Sequence, residues 1–90
     1  MDIEWDGQKA RRNARKHGVS VEEAATVFLD PFELTVFDPD HSISEDRFVS
    51  IGAASSGRLL VVGYTERRGK IRVIFARRAT MREQVDYEEA

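Results

Sequence analysis

Residues 47–78 read RFVSIGAASSGRLLVVGYTERRGKIRVIFARR, and the fold turns on how this stretch is parsed. Three runs, Arg47 to Ala53, Arg58 to Glu66 and Lys70 to Ala76, are apolar throughout or alternate with the two-residue period of a strand. Between them stand Ser55-Ser56-Gly57 and Arg67-Arg68-Gly69, short polar segments ending in glycine that suit tight reversals. Connections this short leave no room for a crossover, so the runs are expected to form an antiparallel meander. Side-chain alternation then sorts the third run. Ile71, Val73 and Phe75 fall on one face with Arg77, while Arg72, Ile74 and Ala76 fall on the other with Arg78. The first face is the more apolar and is expected to meet the helices. That places Arg77 at the end of a core-facing row, where a charge needs a partner such as Glu45 or Glu66. Arg72 is left to reach across an open sheet face. Tyr64 shares the face of Leu60 and Val62 and is expected to pack there, and Arg47, beginning its strand, reaches the rim.

Upstream, Glu33 to Asp38 reads as a further strand, followed by the polar loop Pro39-Asp40-His41-Ser42-Ile43-Ser44. Before Pro31 the pattern is helical. Asp6 can accept from the free amides of a first turn, Gly7 to His17 is rich in helix formers, and Gly18 stands where helices end in a left-handed residue. Ser20 with Glu23 forms a capping box for a second helix, which runs to about Leu29 and is stopped by Asp30-Pro31. Ile3 to Trp5 reads as a short strand, with Trp5 in the core. From Ala79 onward, Met81, Val85 and Tyr87 mark an acid-rich closing helix. The chain is therefore read as one α+β domain over residues 1–90, with a central antiparallel sheet of about four strands, two N-terminal helices and one C-terminal helix, the helices packed on one face.

Ninety residues leave no room for a second domain. The absence of cysteine excludes a disulfide scaffold and a thiolate zinc site and fits a reducing cytosol. The longest apolar run, Leu59-Leu60-Val61-Val62, is far too short to span a membrane, and Met1 to Asp6 lacks the basic start and apolar stretch of a signal peptide. A cytoplasmic protein without membrane contact is expected. A net charge of −2 argues at first against nucleic acid, but the distribution does not. Lys9 to Lys16 holds five basic residues and no acid, and Arg67 to Arg82 holds seven and no acid, whereas Ser20 to Thr65 holds eight acids against Arg47 and Arg58. A phosphate responds to the local field, which the mean hides.

The chemistry narrows by residue type. His17 and His41 lie in separate segments without a second histidine or cysteine at ligand spacing, and Asp38, Asp40, Glu45 and Asp46 lack the glycine and spacing of a calcium loop. No metal site and no cofactor is expected. No glycine-rich loop follows a strand, and no serine stands in a nucleophile elbow. What remains is cations, a histidine, carboxylates and tyrosines, the set used by metal-free RNA cleavage. There a base takes the proton of a ribose 2′-OH, which attacks the adjacent phosphorus; cations stabilise the pentavalent phosphate, and an acid protonates the leaving 5′-oxygen. Pre-placed donors supply on the order of a hundredfold or more each, and an imidazole suits either proton role because its ordinary pKa lies near neutrality.

The sequence also resembles a known family. Trp5-Asp6 with Lys9, Asn13 with Lys16-His17-Gly18, and Glu22-Glu23-Ala24 are similar to the opening signature of the BrnT toxins. Asp38-Pro39 with His41-Ser42, Glu45 with Arg47, and Ile51-Gly52 resemble its central segment. Ile71-Arg72, Ile74, Ala76-Arg77-Arg78-Ala79 and Arg82-Glu83 resemble its closing motif. Phe75, where members often carry serine, and Val21, where phenylalanine is usual, depart from the pattern without removing an ionisable group. The resemblance implies a RelE-like fold and a metal-independent ribonuclease toxin of a type II toxin–antitoxin system that cleaves RNA and inhibits translation. It implies neutralisation by a BrnA-like antitoxin, with DNA bound only through the complex of the two.

Under that resemblance the catalytic candidates are His17, Lys16, Arg47, Arg77 and Glu45, and the RNA-binding candidates are Lys9, Arg12, Arg72 and Arg78. Lys9, Arg12 and Lys16, at spacings of three and four, share one helix face, while Ala10, Ala14 and Asn13 or His17 turn inward. The two basic clusters are expected to converge on one site shared by RNA and antitoxin. A plainer account of the same residues stays open. His17 with Asn13 can buttress the helix end, where an imidazole also meets the helix dipole, and a basic stripe can be a solvated face. The rival function is a non-catalytic RNA- or protein-binding module using these patches, which requires aromatic residues exposed on the sheet; Phe48, Tyr64 and Phe75 are the candidates. A helix-turn-helix DNA reader is disfavoured, because the second helix carries Glu22 and Glu23 and no basic residue.

Overall fold

The computed structural model describes residues 2–39 and 45–90. His41 and the rest of the 40–44 segment of the expected polar loop lie outside the described residues. The elements in chain order are β1 (Ile3–Glu4), α1 (Gly7–His17), α2 (Val21–Ala25) continued by a 3-10 turn over Thr26–Leu29, β2 (Leu34–Phe37), β3 (Arg47–Ala53), β4 (Leu59–Arg67), β5 (Lys70–Arg78) and α3 (Met81–Glu89).

The three runs of residues 47–78 do form the meander: β3 pairs antiparallel with β4, and β4 with β5. Arg68 and Gly69 both carry positive φ in the β4–β5 reversal, the requirement that glycine meets without strain. β2 adds antiparallel to β3, and β1 adds parallel to β5, giving the five-stranded mixed order β1-β5-β4-β3-β2. The expected four antiparallel strands are therefore present, and the short N-terminal strand supplies a fifth.

One sheet face meets α1, α2 and the 3-10 turn. Leu60 and Val62 of β4 and Val73 and Ala76 of β5 are buried there against Val19, Ala24 and Val27, with Ile3, Trp5, Phe28 and Ile71 packed around them. Leu60, Val62 and Val27 are fully buried, worth about 1.5–3 kcal/mol each. Gly52 lets the 3-10 turn approach β3; a Cβ there would stand 2.8 Å from Val27 Cγ1 and 3.2 Å from the Val27 carbonyl oxygen. The helices do not all lie on this face. Ile51 and Val61 point to the other side and are also buried, and α3 contacts β3 and ties its Glu83 to Arg77. At the end of β3, Asp30 accepts from the amides of Ala53 (2.8 Å) and Phe32 (2.9 Å) and from the Tyr87 hydroxyl (2.6 Å), joining the 3-10 turn, β3 and α3.

β1 pairs with β5 only at Ile71 and Arg72, so the outer edge of β5 beyond Arg72 is left to α1. Asn13 closes it. Its side-chain amide donates to the Ala76 carbonyl (2.8 Å) and accepts from the Ala76 amide (3.1 Å), as a neighbouring strand would, and donates to the Val19 carbonyl at 3.3 Å. Asn13 is thus the inward residue of α1, with Ala10 and His17 half-buried. Ala14, expected to turn inward, is exposed.

Candidate functional site

The site begins with an irregularity. Tyr64 pairs with Val73 but Gly63 pairs with Phe75, so Ile74 is an extra residue in β5 and the alternation shifts by one there. Ile71 and Val73 face the helices as expected. Beyond the bulge that role passes to Ala76, and Phe75 and Arg77 turn to the opposite face. The reading of Phe75 and Arg77 as one row with Ile71 and Val73 is corrected by this bulge. Gly63 makes the shift tolerable, because a Cβ at that position would lie 2.1 Å from Cε1 of Phe75.

Arg77 has a partner, though neither Glu45 nor Glu66. Its guanidinium holds Glu83 with both arms, Nη1 to Oε1 at 2.7 Å and Nη2 to Oε2 at 2.8 Å. Glu83 is also the third residue of α3, where it accepts from the Thr80 amide while Thr80 Oγ1 accepts from the Glu83 amide. A capping box thereby fixes the carboxylate, and the carboxylate fixes the arginine. The Arg77 hydrogen bonds hold the Glu83 carboxyl down to about 2, and Glu83 in turn pushes the Arg77 pKa up. Arg77 and Glu83 border a hollow of about 440 Å³ with Asp38, Arg47, Gly63 and Phe75.

A second hollow, of about 390 Å³, lies between α1 and β5 and is lined by Lys9, Arg12, Asn13, Lys16 and His17 together with Ile74 and Phe75. The Asp6 cap, which accepts from the Lys9 amide at 3.0 Å, and Gly18 in the left-handed region set the ends of α1. Asn13 fixes its rotation against β5. The spacing of three and four then delivers Lys9, Arg12 and Lys16 to one side. Ile74 and Phe75 belong to both hollows, so cations from α1, β3 and β5 approach a common wall from two directions.

Three candidates lie elsewhere. Glu45 is held by Arg67, Nε to Oε2 at 2.8 Å and Nη2 to Oε1 at 3.2 Å, and that pairing lowers its pKa. Arg72 is on the open face, as expected, with its Nη1 3.3 Å from Glu4 Oε1. Arg78 stands opposite Leu60 at the strand end, on the helix side, where it acts on Glu23, which Arg58 clasps. Sequence reasoning missed Glu83 and Asp38. Glu83 was legible, since Thr80 followed three residues on by Glu83 is a capping signature. Asp38 stood in the Asp38-Pro39 pair of the family resemblance, but no spacing marked it as a site residue.

The family model described as the ribonuclease toxin BrnT of type II toxin–antitoxin systems matches residues 5–83. No curated relative matches the chain. The crystal structure of the Brucella abortus ribonuclease toxin BrnT is similar in fold, with a TM-score of 0.68 at 24% identity over 90% of this chain and 99% of that one.

Proposed function

The chain belongs to the BrnT family of ribonuclease toxins of type II toxin–antitoxin systems, and from that premise we propose that it cuts RNA at the wall shared by its two basic hollows, by attack of the ribose 2′-OH and without a metal ion. The observation that carries this reading is the approach of Arg47 and Arg77 from one side, and of Lys9, Arg12, Lys16 and His17 from the other, to Ile74 and Phe75. Phosphates of a bound strand lie among these cations. Arg77, pre-oriented by Glu83, stabilises the charge that builds on the pentavalent phosphorus without reorganising at the moment of reaction. Lys16 and Arg47 add to that field, and His17 exchanges the protons of the attacking and leaving oxygens. Among the described residues no three or more histidine, cysteine, aspartate or glutamate side chains converge as a metal would need.

The same surface serves the regulator. A BrnA-like antitoxin inhibits by covering the cations with an acidic or RNA-mimicking segment, and DNA is bound only through that complex. Large exposed apolar side chains, Leu29, Phe32, Val36, Phe37 and Met81 among them, favour a protein partner for this small chain. Among the described residues no helix is long and apolar enough to cross a membrane, and the reading places the toxin in the cytoplasm, arresting growth by blocking translation. Induction of the chain alone, and then with its antitoxin, tests this. Growth should stop with loss of RNA integrity in the first case and recover in the second. Arg77→Ala and His17→Ala, folded by circular dichroism, should be non-toxic. Full toxicity in both would show that the site is wrongly placed, and arrest with intact RNA would favour a binding module.

A further inference from the structure

Phe75 stands where the two hollows meet and lines both, with Arg47 and Arg77 on one side and Lys9, Arg12 and Lys16 on the other. Its position depends on two local features. The extra residue Ile74 turns it off the core face, and Gly63 leaves open the space that a Cβ would take from its ring. The other aromatic residues of the central strands are differently placed. Phe48 and Tyr64 also border the first hollow, but they stack on each other with centroids 5.7 Å apart, and Phe28 meets Tyr64 edge-on at 5.1 Å on the helix side, so their rings are taken up by one another. Phe75 is thus a half-buried aromatic ring among cations on the face away from that cluster.

A phenyl ring gives a phosphate no hydrogen bond, but it gives a nucleobase a surface to stack on. A base inside a duplex is already stacked and paired; one in a single strand is free to take the ring. The guanidinium carbon of Arg77 lies over the ring, 6.0 Å from its centroid, so a base that stacks on the ring also meets this cation and brings its neighbouring phosphates among the cations on either side. Resting on the ribonuclease reading above, we propose that Phe75 is a base-stacking platform and that the site takes single-stranded RNA, with one unpaired base held between two phosphate-binding clusters. The platform sets which nucleotide lies at the cleavage position and adds affinity for an unpaired base, while the cations bind the phosphates of either form.

The test uses a 2′-O-methyl oligoribonucleotide, which lacks the attacking hydroxyl, as a single strand and annealed to its complement, titrated by fluorescence anisotropy. The single strand should bind the native chain more tightly than the duplex does. Phe75→Leu should weaken the single strand roughly tenfold and the duplex hardly at all, whereas Phe75→Tyr, which keeps a ring, should bind as the native chain does. A reading that needs no variant comes from 2-aminopurine placed at successive positions of the strand: one position should be quenched in the native complex. If Phe75→Leu binds the single strand as tightly as the native chain while Arg77→Ala weakens it, the platform falls and the ribonuclease site stands. Equal affinity for both forms, or no quenched position, also overturns the platform. If no form of RNA binds the native chain, both readings fall.

Discussion

Arg77 and Glu83 form a pair in which each group fixes the other, with side chains 33% and 22% exposed. A carboxyl held below its ordinary pKa contributes stability that is present above the ordinary value and lost as pH falls toward the folded one. For Glu83 that window runs from 4.5 down to about 2. Glu83→Gln should therefore lose on the order of 2 kcal/mol at pH 7 and progressively less as pH falls through that window. Urea midpoints at pH 7 and pH 3 check this, the gap between native chain and variant narrowing at the lower pH. Arg77→Lys should keep the fold but lose most activity, because an ammonium keeps the charge and loses the two-armed grip that aims it.

At the scale of elements, Asn13 decides whether α1 stands against β5. Asn13→Ala strips the Ala76 amide and carbonyl of their partner, and each buried group left unsatisfied costs about 1–3 kcal/mol. The expected outcome is a fall in melting temperature of roughly 10 °C or more, read by circular dichroism. Lys9→Ala and Arg12→Ala, outward on the same helix, should leave the melt unchanged. Each should weaken RNA binding and lower the slope of log affinity against log salt by roughly one. The existence of these elements was legible: the caps Asp6, Ser20 and Gly18 and the two glycine turns of the meander all stand where the sequence puts them. The bulge was not. Val73, Ile74 and Phe75 are all apolar, so either alternation fits them, and only the pairing of β4 with β5 reveals which residue is extra. That single shift hid the face of Phe75 and Arg77. Of the second basic cluster, expected to meet the first, only Arg77 borders the wall that the α1 cations border; the anchor of α1 through Asn13 is a tertiary contact between residues sixty-three apart.

Across the whole molecule, a chain of net charge −2 sets cations from three elements around one wall and holds other charges in pairs, Glu23 with Arg58, Glu45 with Arg67 and Glu4 with Arg72. The molecule can therefore attract a polyanion locally without being basic overall. The most direct test of its central claim is cleavage of a single-stranded RNA by the purified chain in excess chelator, with the new ends mapped and Arg77→Ala run beside it. The account predicts cutting that chelator does not change, 2′,3′-cyclic or 3′-phosphate ends facing 5′-hydroxyls, and no cutting by the folded variant. Cleavage that stops with chelator and returns with magnesium, ends bearing a 5′-phosphate, or full activity in folded Arg77→Ala would contradict it.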